Sequence, residues 1–328
     1  MERCISGIGR GIKRNMNTLV IGGNGFIGSH LVDRLLSEGH VVHVFDRQSE
    51  LYRKPLEGVI YHIQDFGNRS ILSEALNNID IVFHLISTTV PKTSNYDPIF
   101  DVMSNVVETI FLFEQCVERK IKKTVFVSSG GAVYGTPTAV PVSEDSPLNP
   151  ESSYGISKLT IEKYLELFHR LYGLEYVIVR PSNPYGERQN YEGNQGVIAV
   201  FMGKIAKNQA IDIWGDGSSI KDYVYITDLI DGIYKAAFSN TKHRVFNIGS
   251  GAGHSINDVL KLLTQIIEKK ILVNYKPQEA FDVSKIYLDI TRARRELGWE
   301  PQISLDAGLS RTWEFINLQL LENKVYIS

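Results

Sequence analysis

From residue 17 to residue 181 the sequence alternates short β-rich runs with amphipathic stretches, and this alternation restricts the fold more than any other feature. The runs cover 18–22, 41–45, 59–63, 81–85, 124–128 and 176–180, and helical patterns occupy 26–37, 99–119 and 153–172. Strands separated by helices predict a parallel sheet covered on both faces. Ligands of such sheets sit beyond the carboxyl ends of the strands. After Pro181 the texture changes: Asn183-Pro184-Tyr185-Gly186 is turn chemistry, and Trp214-Gly215-Asp216-Gly217-Ser218-Ser219 is a loop. Helical patterns follow at 227–238, 256–269, 291–297 and 305–320, with a strand at 246–248 expected to return to the main sheet. The expectation is an α/β fold with a first domain at 17–181 plus later returning segments, and a smaller lobe mainly at 182–328.

Bulk properties exclude several classes of function. With 35 basic and 37 acidic residues the formal charge is -2, which argues against a nucleic-acid polymer as partner. Cys4 and Cys116 make neither a disulfide framework nor a metal site, and no metal is expected. No apolar run approaches the roughly 18 residues needed to span a bilayer. Residues 1–16 are basic but lack the apolar stretch of a secretory signal, so a disordered extension is expected there, with Met16 as the functional start. A cytoplasmic protein is the resulting expectation.

The turn Gly22-Gly23-Asn24-Gly25-Phe26-Ile27-Gly28 follows the first strand and opens the first helix. Small residues at 22 and 25 let a pyrophosphate approach the helix N-terminus, and Gly28 permits close helix–strand packing. Asp46 ends the second strand, where a carboxylate can accept a hydrogen bond from a ribose 2′-OH. That favours NAD over NADP, although Arg47 directly follows and can neutralise a 2′-phosphate. Asp65, after the third strand, is either an adenine partner or an ordinary loop acid.

Two polar groups of residues complete the rim. Val127-Ser128-Ser129-Gly130-Gly131-Ala132-Val133-Tyr134-Gly135 ends the fifth strand. Ser129 is placed to hydrogen-bond a substrate oxygen, whereas Ser128 fits turn capping as well as catalysis. Tyr154 and Lys158 are four residues apart on a predicted helix and so share a face. An ammonium beside a phenol favours the phenolate, so the Tyr154 pKa is expected to fall toward working pH. Tyr-x-x-x-Lys alone is a common accident of amphipathic helices. The glycine turn and Asp46 at the same sheet rim give it meaning.

Together GGNGFIG, the Asp46 position, SSGGAVYG, YGISK, RPSNPYG, KDYVYITD and VFNIGSG resemble the extended short-chain dehydrogenase/reductases, specifically the nucleotide-sugar epimerases and dehydratases. The resemblance runs from about Asn17 to Trp313 and implies a Rossmann-type doubly wound sheet with a C-terminal substrate lobe. It implies bound NAD, a nucleotide-diphospho-hexose substrate and hydride chemistry at sugar C4. Tyr154 would be the acid/base, with Lys158 orienting the nicotinamide ribose. Phe26, Ile27, Leu85, Asn105, Ser128 and Pro181 would complete the cofactor site. Asn183, Arg188 and Lys221 would join Ser129 and Tyr154 around the substrate. The resemblance also implies surface-polysaccharide precursors as products and a homodimer built through 99–119 and 153–172. Phe111, Phe113, Leu165 and Phe168 are candidates for that interface, with packing on the sheet as the alternative.

Several positions depart from the family pattern. The Ser or Thr usual four residues before the loop tyrosine is Gly130 here. The arginine usual before Asp222-Tyr223 is Lys221, a point charge without the bidentate fork. A second expected arginine is missing near Glu279, which leaves Arg188 or Lys285 to help hold a diphosphate. Gly130-Gly131-Ala132 also lacks the Asp-Glu pair of 4,6-dehydratases, which argues against that reaction. The leading reading is a nucleotide-sugar 4-epimerase of the UDP-glucose/UDP-galactose type. A dTDP-4-keto-6-deoxyhexose 4-reductase is the close rival, and a non-catalytic NAD sensor the distant one.

Overall fold

The computed structural model describes residues 15–193, 195–277 and 283–325. Its centre is a parallel sheet of seven strands: β1 (Asn17–Ile21), β2 (Val41–Asp46), β3 (Val59–Ile63), β4 (Ile81–His84), β5 (Lys123–Val127), β6 (Tyr176–Pro181) and the late β11 (Val245–Ile248). Their order is β11-β6-β5-β4-β1-β2-β3. The order reverses direction between β1 and β4, which opens a crevice beyond their carboxyl ends.

Both faces of the sheet are covered, as the apolar strands require. Val20 of β1 packs with Leu31, Val32 and Leu35 of α1 (Phe26–Ser37) on one face. Leu19 and Ile21, pointing the other way, pack with Leu112 and Phe113 of α5 (Glu108–Glu118) and Leu165 and Phe168 of α6 (Ser153–Tyr172). Period-two alternation within one strand thus feeds two separate cores. α6 starts where Ser152 accepts the Gly155 N–H at 3.2 Å and stops at left-handed Gly173. α2 (Arg69–Ala75) lies with α5, while α8 (Ile226–Phe238) lies beside α1.

The single helix expected over 99–119 is three segments. After the short α3 (Pro91–Ser94), these are α4 (Pro98–Asp101), a π-helical turn at Val102–Val107, and α5. The wide turn carries Asn105, whose Nδ2 donates to Asp101 Oδ1 at 3.0 Å. π turns of this kind are frequent at functional sites.

The remaining elements gather over one end of the sheet. Strand pairs β7 (Asn183–Tyr185) with β10 (Tyr223–Tyr225), β8 (Ile211–Trp214) with β13 (Val273–Lys276), and β9 (Ile220–Lys221) with β12 (His254–Ser255) are braced by α7 (Val197–Ala206), α9 (Ile256–Ile266), α10 (Thr291–Leu297) and α11 (Leu305–Val325). α7 escaped the periodicity reading because it has no polar face: Ile198, Phe201, Met202 and Ile205 are all buried.

Phe113, Leu165 and Phe168 are buried on the sheet, so packing accounts for them, while Phe111 is partly covered at the edge of the same core. The extension, apart from residues 15 and 16, and the segment around Glu279 lie outside the described residues. Cys116 is buried and burial pushes its thiol up to about 12, as an inert core residue requires.

Candidate active site

The glycine turn makes a cradle at the crevice. Gly22 adopts φ +87°, and a β-carbon on Gly28 would fall 2.0 Å from the Gly22 carbonyl oxygen, so α1 can approach β1 only with glycine there. A β-carbon on Gly25 would meet only that same oxygen, at 3.4 Å, and would project into the space above the turn. Gly25 offers α1 no side-chain cap, which leaves the first-turn N–H groups around Phe26 and Ile27 free for an anion. Leu85 extends β4 by donating its N–H to Ile21 O at 3.0 Å, and so lies beside Gly22.

Asp46 ends β2 with its carboxylate held in place. Oδ2 accepts the Asn24 N–H and Oδ1 the Gln48 N–H, each at 3.1 Å. Burial pushes its pKa up, and the backbone donors and Arg47 oppose the shift. Arg47 itself is exposed. Asp65 accepts the Gly67 N–H at 2.9 Å in its own turn, so one carboxylate oxygen is engaged locally. These residues fit NAD: an uncapped helix end for the pyrophosphate and an acid at the ribose position.

At the next strand ends the proton-transfer candidates converge. Tyr154 is the second residue of α6, and its N–H donates to Ser94 Oγ at 3.0 Å. Its phenol faces the Ser129 side chain, whose Oγ accepts the Ala132 N–H at 3.3 Å. Lys158, one turn on, is buried and donates from Nζ to Val127 O at 3.0 Å. That ammonium lies 4.8 Å from the Phe126 ring centroid and 5.7 Å from that of Tyr154. Pro181, buried, ends β6, and its carbonyl accepts the Gly130 N–H at 2.8 Å.

The electrostatics correct one expectation. Burial pushes the Tyr154 phenol up to about 12, with the Asp101 charge acting in the same direction and the Ser129 hydrogen bond opposing. The expected fall is overruled because desolvation outweighs the ammonium, whose nearest partner is a carbonyl. Burial also draws Lys158 down to about 8, against the charges of Glu162 and Asp101.

The structure also settles which way Ser128 faces. Its Oγ donates to Glu162 Oε1 at 2.5 Å, away from Ser129, so it neither caps the turn nor reaches toward Tyr154. Asn105 is buried, with its Oδ1 accepting the Thr88 N–H at 2.9 Å beside the end of β4. Three site residues went unread in the sequence. Asp101 accepts hydroxyls from Ser153 at 2.8 Å and Ser157 at 2.6 Å. Glu162 and Arg180 form a buried ion pair at 2.5 Å. A carboxylate at 162, on the same helix face as Tyr154 and Lys158, was the available signal.

Beyond this rim lies a cleft of about 780 Å³, lined in part by Asn183, Tyr191, Lys204, Lys207, Trp214 and Lys221. Lys221 Nζ donates to Val283 O, and Lys285 is bridged to the adjacent Ile220. Arg188 lies elsewhere: its Nη1 pairs with Asp33 of α1 at 2.8 Å, so its guanidinium is engaged away from Lys221. Gly130 has a steric reason. A β-carbon there would sit 2.7 Å from Leu288 Cδ1 and 2.9 Å from Pro181 O.

Comparison with known proteins agrees with this geometry. Residues 18–249 match the model of the "NAD dependent epimerase/dehydratase family". A UDP-glucose 4-epimerase of Mycolicibacterium smegmatis is 37% identical over 307 residues, covering 92% of this chain and 98% of that protein. A dTDP-4-dehydro-6-deoxyglucose reductase of Escherichia coli is 33% identical, covering 91% of this chain and 96% of that one. The solved structure of a Thermotoga maritima UDP-glucose 4-epimerase with UDP-glucose superposes with a TM-score of 0.87 at 37% identity, covering 93% of this chain and all of that chain.

Proposed function

This chain belongs to the NAD-dependent epimerase/dehydratase family, and from that premise we propose that it is a nucleotide-sugar 4-epimerase of the UDP-glucose/UDP-galactose type. The observation that carries the reading is the placement of the Tyr154 phenol against the Ser129 side chain, one turn from buried Lys158, at the rim between the NAD cradle and the cleft. NAD, when bound, supplies the hydride acceptor at C4, the donor on return, and a positive charge that favours the Tyr154 phenolate. Tyr154 takes the proton from the C4 hydroxyl, and the Ser129 hydroxyl orients that oxygen. Lys158 holds the ribose side and keeps a positive charge near the phenolate. Because Tyr154 is protonated after this step, it is ready to return the proton once the hexose presents its other face. Lys221 suits the diphosphate, with Asn183 in the same cleft, whereas the cleft lysines Lys204 and Lys207 are paired with Asp212 and Glu192.

The same reading divides the labour between a cofactor domain at 17–181 with β11, and a substrate lobe formed mainly by 182–328. It also includes a cytoplasmic homodimer. Among the described residues no helix is long and apolar enough to cross a membrane. Ile99, Phe100 and Met103 before α5, and Ile156, Leu167 and Leu171 on α6, are exposed on neighbouring elements, as an apolar helix-to-helix interface requires.

One observation favours a second reading, a 4-ketoreductase: the 33% identity to the Escherichia coli reductase. Both reactions use the same acid/base residues by microscopic reversibility. Incubation with UDP-glucose, and separately with a dTDP-4-keto-6-deoxyhexose plus NADH, separates them. The epimerase forms UDP-galactose with no net NADH change, whereas the reductase consumes NADH stoichiometrically and only with the keto sugar.

A further inference from the structure

Directly behind the proton-transfer pair lies a buried ion pair to which the reaction assigns no part. Glu162 is one turn beyond Lys158 on the same face of α6 and is 1% exposed. Arg180, the penultimate residue of β6, grips both of its oxygens: Nε donates to Oε1 at 3.1 Å and Nη2 to Oε2 at 2.5 Å. Ser128 Oγ donates to Oε1 at 2.5 Å. Ser128 stands between Val127, whose carbonyl holds Lys158, and Ser129, which meets Tyr154. Arg180 Nη1 also donates to the Tyr134 hydroxyl at 2.9 Å, and that hydroxyl donates to Asn247 Oδ1 of β11 at 2.8 Å. The loop bearing Ser129 is therefore fastened at both ends to one ion pair.

Taking two charges out of water costs enough that an apolar pair of similar volume often stabilises a fold as well. What an apolar pair cannot supply is direction, because it fixes neither the Ser128 hydroxyl nor the Tyr134 hydroxyl. We propose that Glu162, held by Arg180, is a positioning residue that sets Lys158 and Ser129 against Tyr154. The proposal rests on the reading of Tyr154 and Lys158 as the proton-transfer pair.

Glu162 also acts through its charge. The groups facing Lys158 are Tyr154 and Glu162 on α6, Asp101 at the end of α4, His84 at the end of β4 and the Phe126 ring of β5, with Arg180 of β6 behind Glu162. Burial lowers the Lys158 pKa to about 8, while Glu162 and Asp101 hold it up. Glu162→Gln removes one of those two charges, so the ammonium is lost at a lower pH.

The test compares wild type, Glu162→Gln and Ser128→Ala in the NAD-loaded enzyme, across pH. Glu162→Gln is expected to lower kcat about tenfold, leave KM for the nucleotide sugar within about twofold, and move the alkaline limb about one unit down. Ser128→Ala keeps the ion pair and the fold. It is expected to lower kcat several-fold with the limb unmoved, and it decides the matter if Glu162→Gln folds poorly. Loss in Glu162→Gln that is equal at every pH, or full activity in Ser128→Ala, overturns the proposal. The Lys158 titration itself, followed by NMR of 13C-labelled lysine with Lys158→Met to assign the signal, needs no sugar. If wild type turns over neither sugar, the functional reading fails, but a Lys158 pKa unchanged by Glu162→Gln overturns the positioning role on its own.

Discussion

Leu288 occupies the space that any side chain at Gly130 would need: Cδ1 lies 2.7 Å from the position of a β-carbon there. The hydroxyl that the family pattern leads one to expect at this position has no room in this chain, and the neighbouring Ser129 is the one that faces Tyr154. Adding the family hydroxyl through Gly130→Ser is therefore expected to cost stability, about 1–3 kcal/mol as an overpacked core site, and to bring no gain in turnover. Trimming the neighbour in Gly130→Ser/Leu288→Ala should recover part of the loss, the contact with Pro181 O remaining. Thermal unfolding of the three proteins checks this. A Gly130→Ser variant as stable as wild type and faster would contradict it.

Removal of the phenol oxygen separates chemistry from cofactor binding. Tyr154→Phe keeps the ring and the helix but has no proton to give or take. Turnover is expected to drop by about 10²–10⁴-fold, with NAD affinity by calorimetry little changed. Near-normal rates would refute the assigned proton transfer.

His84 makes the fold sensitive to acid. It is buried at the end of β4 between the Phe66 and Phe126 rings, with Nε2 2.8 Å from Thr109 Oγ1. Burial, with the Lys158 charge, draws its pKa down from 6.5 to about 3. Between those values the unfolded chain binds a proton that the folded chain does not. Stability from this group is complete above 6.5 and falls as pH drops, by about 1.4 kcal/mol per unit until about pH 3. Urea midpoints measured from pH 7 to pH 5 should fall more steeply for wild type than for His84→Asn. Parallel slopes would show that another group dominates.

The exposed apolar residues on and before α6 predict a subunit contact. Ile99 is 77% and Leu171 58% exposed, on elements that pack against each other, and exposed apolar patches mark interaction sites. Phe100→Glu with Leu167→Glu should convert a dimer to monomers in sedimentation velocity while the fold persists by circular dichroism. A wild-type chain that sediments as a monomer at micromolar concentration would remove the interface from the account.

The parallel sheet and its two main helices were legible because strands β1 to β6 are apolar, and because 26–37 and 153–172 keep a helical period, the second between Ser152 and Gly173. The late return of β11 to the main sheet was also legible, though not its place beside β6. Less was readable where chemistry depends on depth. Nothing in Tyr-x-x-x-Lys reveals that burial raises the phenol instead of lowering it. The π turn at 102–107 reads as ordinary helix in the sequence, because the Asn105–Asp101 hydrogen bond it carries joins residues four apart, the spacing of any α-helix. Glu162 was hidden for a similar reason: its partner Arg180 lies on another element, 18 residues away.

The central claim is that hydride leaves C4 and returns to C4 while Tyr154 handles the proton. Its most direct test supplies UDP-[4-²H]glucose to the NAD-loaded enzyme and follows the product by NMR. The account predicts UDP-galactose with deuterium retained at C4, no net NADH formed, and no product with Tyr154→Phe. Product with deuterium lost to solvent, or no interconversion at all, would contradict it.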